Sequence, residues 1–274
     1  MARWLGEMIG ASVGTDASAR IDGAEAFDPE ISNNDGAAPL LFICEHASNH
    51  IPDRFHGLGM SPSQLFNHAT WDLGAYEVSG HLSGHFNAVL IAGRVSRLLY
   101  DCNRPPEAPD AIVEVSEIGD IPGNKGLSDA ARRERVEQFY RPFEQAIARK
   151  IEASPRVRAI ITIHSFTPVY WGKPRNVEIG ILHDADSRLA DAMLATANKF
   201  TSHAVVRNQP YGPQDGVTHT LKEHGIRNGL LNVMIEIRND LIGTAEDQVK
   251  IGKMLAGWID AALSQTMNSE PQRG

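Results

Sequence analysis

The chain has 274 residues, 42% hydrophobic and 22% charged, with 24 Gly and 15 Pro; this is a globular composition that excludes collagen-like, coiled-coil and wholly disordered chains. A net charge of −8 with no run of five basic residues opposes nucleic-acid binding, which needs Lys and Arg grouped against phosphates. The two cysteines, Cys44 and Cys102, are too few for a disulfide framework and are not spaced as a CxxC pair, so a reduced, cytoplasmic setting is expected.

Residues 1–37 are rich in Ala, Gly, Ser and Asp and poor in large apolar groups, which predicts a loosely ordered arm. Residues 38–264 then read as a single catalytic α/β domain, and residues 265–274 as a frayed tail. The amino-terminal residues lack the continuous apolar core of a signal peptide, and no run of ~18 apolar residues could span a bilayer, so a soluble protein without a membrane partner is expected.

Within the domain, Pro39 to Cys44 reads as a buried strand, Ala75 to about His85 as a helix, and Ala88–Ala92 and Arg97–Asp101 as further strand material. Ser128 is a good N-cap for a helix reaching about Ile151, with Val136, Phe139, Phe143 and Ile147 at spacings of three and four. Ala159–Ile163, Val177–Leu182 and Leu230–Ile237 are strands, while Ser187–Lys199 and Glu246–Leu263 suit covering helices. Short apolar runs alternating with amphipathic ones predict a three-layer αβα architecture with a mixed central sheet.

In open α/β sheets ligands bind beyond the carboxyl ends of strands, so polar residues that terminate apolar runs are the first candidates. Four places qualify: Glu45-His46-Ala-Ser-Asn49-His50, Asp101-Cys-Asn103-Arg104, His164-Ser165 and Glu236 with Arg238. The set suits metal-assisted amide hydrolysis, in which about three protein ligands hold a zinc ion and leave a position for water. His46 and His164 are natural nitrogen ligands, Glu236 is the candidate general base, and Arg104 has the planar fork that grips a carboxylate. Each residue also has a plainer reading: a strand-end histidine bonded to a carbonyl, or Glu236 facing outward on an edge strand or paired with Arg238. His219 and His224 read as decoration on a short helix stopped by Gly225. A thiol nucleophile at Cys44 or Cys102 finds little support, and HExxH, GxSxG, the phosphate-binding P-loop and the dinucleotide fingerprint are all absent.

Five short motifs in fixed order carry a resemblance: Cys-Glu-His-Ala-Ser-Asn at 44–49, Thr-Trp-Asp-Leu-Gly at 70–74, Ser-Arg-Leu-Leu-Tyr-Asp-Cys-Asn-Arg-Pro at 96–105, Ile-His-Ser-Phe at 163–166 and Ile-Glu-Ile-Arg at 235–238. Over roughly residues 38 to 262 the chain resembles the N-formylglutamate amidohydrolase family, whose fold is related to zinc carboxypeptidases and aspartoacylases. The resemblance implies a phosphorylase/hydrolase-like, zinc exopeptidase-like fold and one Zn2+ per chain held by His46 and His164. It also implies Glu236 as base and Asn103 and Arg104 on the substrate carboxylate; Arg238 or Arg94 is expected to assist. The related enzymes use His-x-x-Glu where this chain has Asn49, so Asp72 is the candidate third ligand, with Glu45 as the alternative. The implied partner is a small N-acyl amino acid, foremost N-formyl-L-glutamate, handled by a monomer or small homo-oligomer. Peptide or cell-wall fragments stand as the alternative substrate class.

Overall fold

Apolar runs too short for helices and bounded by turns build a seven-stranded mixed sheet in the computed structural model, which describes residues 27–269. Its strands are β1 (Glu30–Ser32), β2 (Leu40–Cys44), β3 (Val89–Ala92), β4 (Ala159–Phe166), β5 (Ile179–Leu182), β6 (Val205–Arg207) and β7 (Leu231–Arg238), in the spatial order β1-β3-β2-β4-β7-β5-β6. The central block β3-β2-β4-β7 is parallel, while β1 and β5 run antiparallel to their neighbours β3 and β7. The parallel strands are buried on both faces, which is why they read as continuous apolar runs and not as alternation.

Four long helices pack on the sheet, α1 (Ala75–Phe86), α2 (residues 129–153), α3 (Arg188–Phe200) and α4 (Ala245–Ser269). One face of the sheet, with Leu40, Phe42, Ile161, Ile163, Val233 and Ile235, packs under α1, α3 and α4; the fully buried Trp258 of α4 sits there. The opposite face, with Leu41, Ile43, Val89, Ile91 and Ile160, packs on α2 and the loops before it. The expected three-layer mixed αβα architecture is therefore the observed one.

Local departures from expectation have identifiable causes. Ser128 does cap α2, accepting from the Ala131 N–H at 3.2 Å, but the helix widens into a π-turn at Val136–Tyr140 before continuing to Ala153. Arg97–Asp101, expected as strand material, is a turn: Leu98, Leu99 and Tyr100 are apolar because they are buried in the second core cluster, not because they pair in the sheet. Glu30–Ser32, inside the expected loose arm, forms edge strand β1 through backbone pairing to β3, and Phe27 packs on Phe139 with centroids 5.5 Å apart. The rest of that arm, residues 1–26, lies outside the described residues, as do residues 270–274 of the expected tail; residues 265–269 continue α4. Gly225 does not stop the helical segment around His219 and His224; helical turns run on to Asn228, and the left-handed stop is Gly229 at φ 65°.

Candidate functional site

The carboxyl ends of β2, β4 and β7 deliver the polar groups to one cavity. His46 follows β2 by two residues, and His164 lies inside β4 opposite Glu236 of β7 in the parallel register, so both side chains leave the same face of the sheet. β7 is a central strand between β4 and β5, so Glu236 cannot turn outward on an edge. The corner at Glu45-His46 needs the glycine that ends β3: a Cβ on Gly93 would lie 2.1 Å from the Glu45 carbonyl oxygen. Asp72 comes from the loop entering α1, anchored by its N–H to the His46 carbonyl at 3.0 Å, and the next turn requires Gly74 at φ 78°.

His46, Asp72 and His164 converge, with one donor atom of each within 4.8 Å of the others, and all three are buried. Asp72 Oδ2 lies 3.3 Å from His46 Nδ1 and 2.9 Å from His164 Nδ1, and also accepts from the Ser165 N–H at 3.2 Å. Donors ~2.0–2.2 Å from a tetrahedral ion stand ~3.3 Å apart, close to the two separations between Asp72 and the imidazoles. The far nitrogen of each imidazole meets a carboxylate: His46 Nε2 hydrogen-bonds Asp101 Oδ1 at 2.7 Å, and His164 Nε2 faces Glu45 Oε2 at 3.1 Å, out of line for a hydrogen bond. Carboxylates behind histidines are the usual outer support of metal-binding imidazoles. Glu45 thus stands behind His164 and outside the His46, Asp72 and His164 cluster, and Asn49 donates to the Leu65 carbonyl at 3.3 Å.

The charge balance points the same way. Glu45, Asp72, Asp101 and Glu236 are four buried carboxylates, and among the described residues Arg97 is the guanidinium bonded to them, donating to Asp72 at 3.3 Å and Asp101 at 2.9 Å. Burial alone would depress the His46 and His164 pKa values, but the carboxylates beside them hold both above the ordinary imidazole range. Burial would likewise raise Asp72 and Asp101, yet the adjacent imidazoles, with Arg97 on Asp101, hold both well below the usual carboxylate range. A cluster that draws protons onto its histidines in this way has the donors and the negative charge to take a cation instead. The residues present fit a divalent metal ion.

Glu236 differs from the other three carboxylates. Its Oε2 is buried with no hydrogen-bond partner, and burial, reinforced by the Asp72 charge, pushes its pKa up to about 7. A buried carboxyl group poised near neutrality beside the His46, Asp72 and His164 cluster is a candidate general base.

The cavity has a volume of 480 Å³ and is lined by His46, Asp72, His164 and Glu236, with Arg97, Asn103 and Arg104 along it. Asn103 is held by its own bonds: Nδ2 donates to the Val217 carbonyl at 2.6 Å, and Oδ1 accepts from Thr220 at 3.1 Å. Arg104 donates to Asp110 at 2.9 Å and to the carbonyls of Asp215, Gly216 and Asn103, leaving one Nη2 hydrogen uncommitted. Two of the expected assisting residues are not brought here. Arg238 pairs with Asp240 and Glu178, and Arg94 is exposed; neither lines the cavity. Arg97 does not stand out as a site residue in the sequence, because it sits in a stretch that reads as a strand; its place seven residues before Arg104 in the same motif is the signal that points to it.

Comparison with known proteins follows this geometry. The N-formylglutamate amidohydrolase family model matches residues 38–243. No protein of curated function matches the chain. Among solved structures, gene product Atu2144 from Agrobacterium tumefaciens is 50% identical, with 88% of this chain and 96% of that one covered and a TM-score of 0.85. The N-formylglutamate amidohydrolase from Ralstonia eutropha JMP134 shares the fold at 19% identity, with 85% and 96% covered and a TM-score of 0.63.

Proposed function

The chain belongs to the N-formylglutamate amidohydrolase family, a family of hydrolases acting on an amide bond, and from that premise we propose that it is a zinc-dependent amidohydrolase of small N-acyl amino acids, with N-formyl-L-glutamate as the reference substrate. The observation that supports this reading most is the meeting of His46, Asp72 and His164 with the unpartnered Glu236 carboxyl in one cavity.

His46 Nδ1, Asp72 Oδ2 and His164 Nδ1 would hold the ion. Bound there, zinc would supply Lewis acidity, polarising the acyl carbonyl and lowering the pKa of water toward neutrality. Glu236 accepts the proton of the attacking water on its free oxygen and returns it to the departing amide nitrogen, so that the amine leaves neutral. Arg97, fixed between Asp72 and Asp101, turns its remaining N–H groups to the cavity, where negative charge develops on the acyl oxygen. Asn103 and the uncommitted Arg104 hydrogen receive the α-carboxylate and set the amide in line with Glu236. Glu45 and Asp101 fix the imidazole orientations. No described helix is long and apolar enough to cross a membrane, and the reading places the enzyme in the cytoplasm with a small-molecule partner.

The experiment is formate release from N-formyl-L-glutamate by the purified protein, with chelator and then with zinc restored. Release that the chelator abolishes and zinc returns supports both the reaction class and the metal. Release that survives exhaustive chelation removes the metal from the reading, and absence of release on zinc-loaded protein removes this substrate.

A further inference from the structure

The floor of the cavity is charged, and its mouth is not. Three of the large apolar side chains that the described residues leave exposed line this one cavity: Val115 at 55% exposure, Tyr170 at 38% and Trp171 at 60%. Isolated exposed apolar groups need no explanation, but a set gathered at the mouth of a ligand cavity does.

The mouth is also a built structure. It is formed by two hairpins, Val115–Ser116 with Gly119–Asp120 and Val169–Tyr170 with Lys173–Pro174. Glu117 of the first hairpin ties them together, accepting from the Trp171 N–H at 2.8 Å and meeting His68 Nε2 at 3.0 Å. At the tip of the second, Trp171 and Gly172 have φ of 49° and 72°, the left-handed pair that a tight hairpin fills best with Asn-Gly. A tryptophan is held there against its conformational preference, with its ring at the cavity. Behind it the Arg175 guanidinium stacks on the Tyr170 and Tyr211 rings at 4.4 and 4.9 Å and donates to the Tyr211 hydroxyl at 2.8 Å, which fixes that wall.

Charge excludes the other occupant. Arg97 and Arg104 are the only Lys or Arg side chains among the described lining residues. Arg97 is set between Asp72 and Asp101 with its remaining N–H groups assigned to the acyl oxygen, and Arg104 has a single N–H to offer. One substrate carboxylate can be received at Arg104; a second would lie among Glu117, Asp110 and Asp215, whose own partners, His68 for Glu117 and Arg104 for Asp110, are already engaged.

We infer that the mouth is a subsite for an uncharged apolar or aromatic side chain, so that N-formyl amino acids of that class are better substrates than N-formyl-L-glutamate. The inference rests on the amidohydrolase reading for its chemistry and deepens it by naming the side-chain class. Binding an aromatic ring removes Val115, Tyr170 and Trp171 from water and leaves the α-carboxylate on Arg104.

The test compares kcat/KM of the zinc-loaded protein for N-formyl-L-phenylalanine, N-formyl-L-glutamate and N-formylglycine, together with calorimetric binding of free L-phenylalanine and L-glutamate. The expected result is a preference for phenylalanine over glutamate of about tenfold or more in kcat/KM, the scale of apolar side-chain discrimination. Trp171→Ala, at an exposed position that the fold does not depend on, should cut the phenylalanine-to-glycine ratio about tenfold. A glutamate preference, or an unchanged ratio in Trp171→Ala, overturns the subsite. If none of the three compounds is hydrolysed, the N-formyl amino acid reading fails and calorimetry decides the subsite by itself. Tighter binding of phenylalanine that weakens in Trp171→Ala keeps it, and any other binding result removes it.

Discussion

The layer beneath α1, α3 and α4 and the cluster at the carboxyl ends of β2, β4 and β7 are almost equally buried, with Trp258 at 0% exposure and Asp72 at 3%, yet they are built on opposite rules. In the first, even the polar atom of Trp258 is satisfied within the core, donating to the Met193 carbonyl at 2.8 Å. In the second, Glu236 Oε2 and both Glu45 oxygens lack hydrogen-bond partners, and four carboxylates crowd two imidazoles and one guanidinium. The first region completes itself, so its removal costs stability; on the proposed function the second is completed by the ion it binds, so its removal should cost function.

The sharpest way to separate them is Glu236→Gln, an isosteric change that removes the proton acceptor. Turnover should fall by on the order of 10³- to 10⁴-fold, while metal content and melting temperature stay near those of the parent. Bound metal is read by atomic absorption and the fold by thermal melting. Retained turnover would remove Glu236 from the base role. Trp258→Ala is the converse: the lost ring and its cavity should cost about 3–5 kcal/mol, read by urea unfolding, with kcat at a permissive temperature unchanged. A loss of activity out of proportion to the unfolded fraction would mean that the two regions are not independent.

Much of the first region was legible and part of the second was not, for reasons that particular residues make plain. β2, β4 and β7 announce themselves because strands buried on both faces have only apolar residues, and His46, His164 and Glu236 stand out against those runs. β1 and β6 carry no such pattern; they are edge strands held by backbone pairing, which side chains do not encode. Arg97–Asp101 misled because burial against a loop core produces the same Leu-Leu-Tyr run as burial in a sheet. Asp101 supports His46 from 55 positions away, and Arg97 bridges two carboxylates from separate loops, and neither relation has a spacing rule in the chain.

Asp101→Asn probes that outer support. The substitution keeps shape but removes the charge behind His46 Nε2, and zinc affinity should fall roughly 10- to 100-fold with the apolar layer untouched. Competition with a chromogenic chelator measures it. An unchanged affinity would leave Asp101 as no more than a partner of Arg97.

The smallest expected effect is the slope of stability with pH, and it should have opposite signs with and without metal. The buried carboxylates raise His46 and His164 above the ordinary value of 6.5, so in the metal-free protein their charged forms add stability that is fully present below that pH. That stability is lost as pH rises through the raised values. The depressed carboxylates Asp72 and Asp101 hold their contribution throughout this window and lose it only in stronger acid. Metal needs the same two imidazoles without their protons, so its affinity should rise with pH over the same interval, by about tenfold per pH unit for each proton displaced. Melting curves in chelator should therefore drift down from pH 6 toward alkaline pH, while curves in excess zinc climb, and Trp258→Ala should lower both without changing either slope. Parallel slopes in the two conditions would mean that the protons and the ion do not compete for His46 and His164.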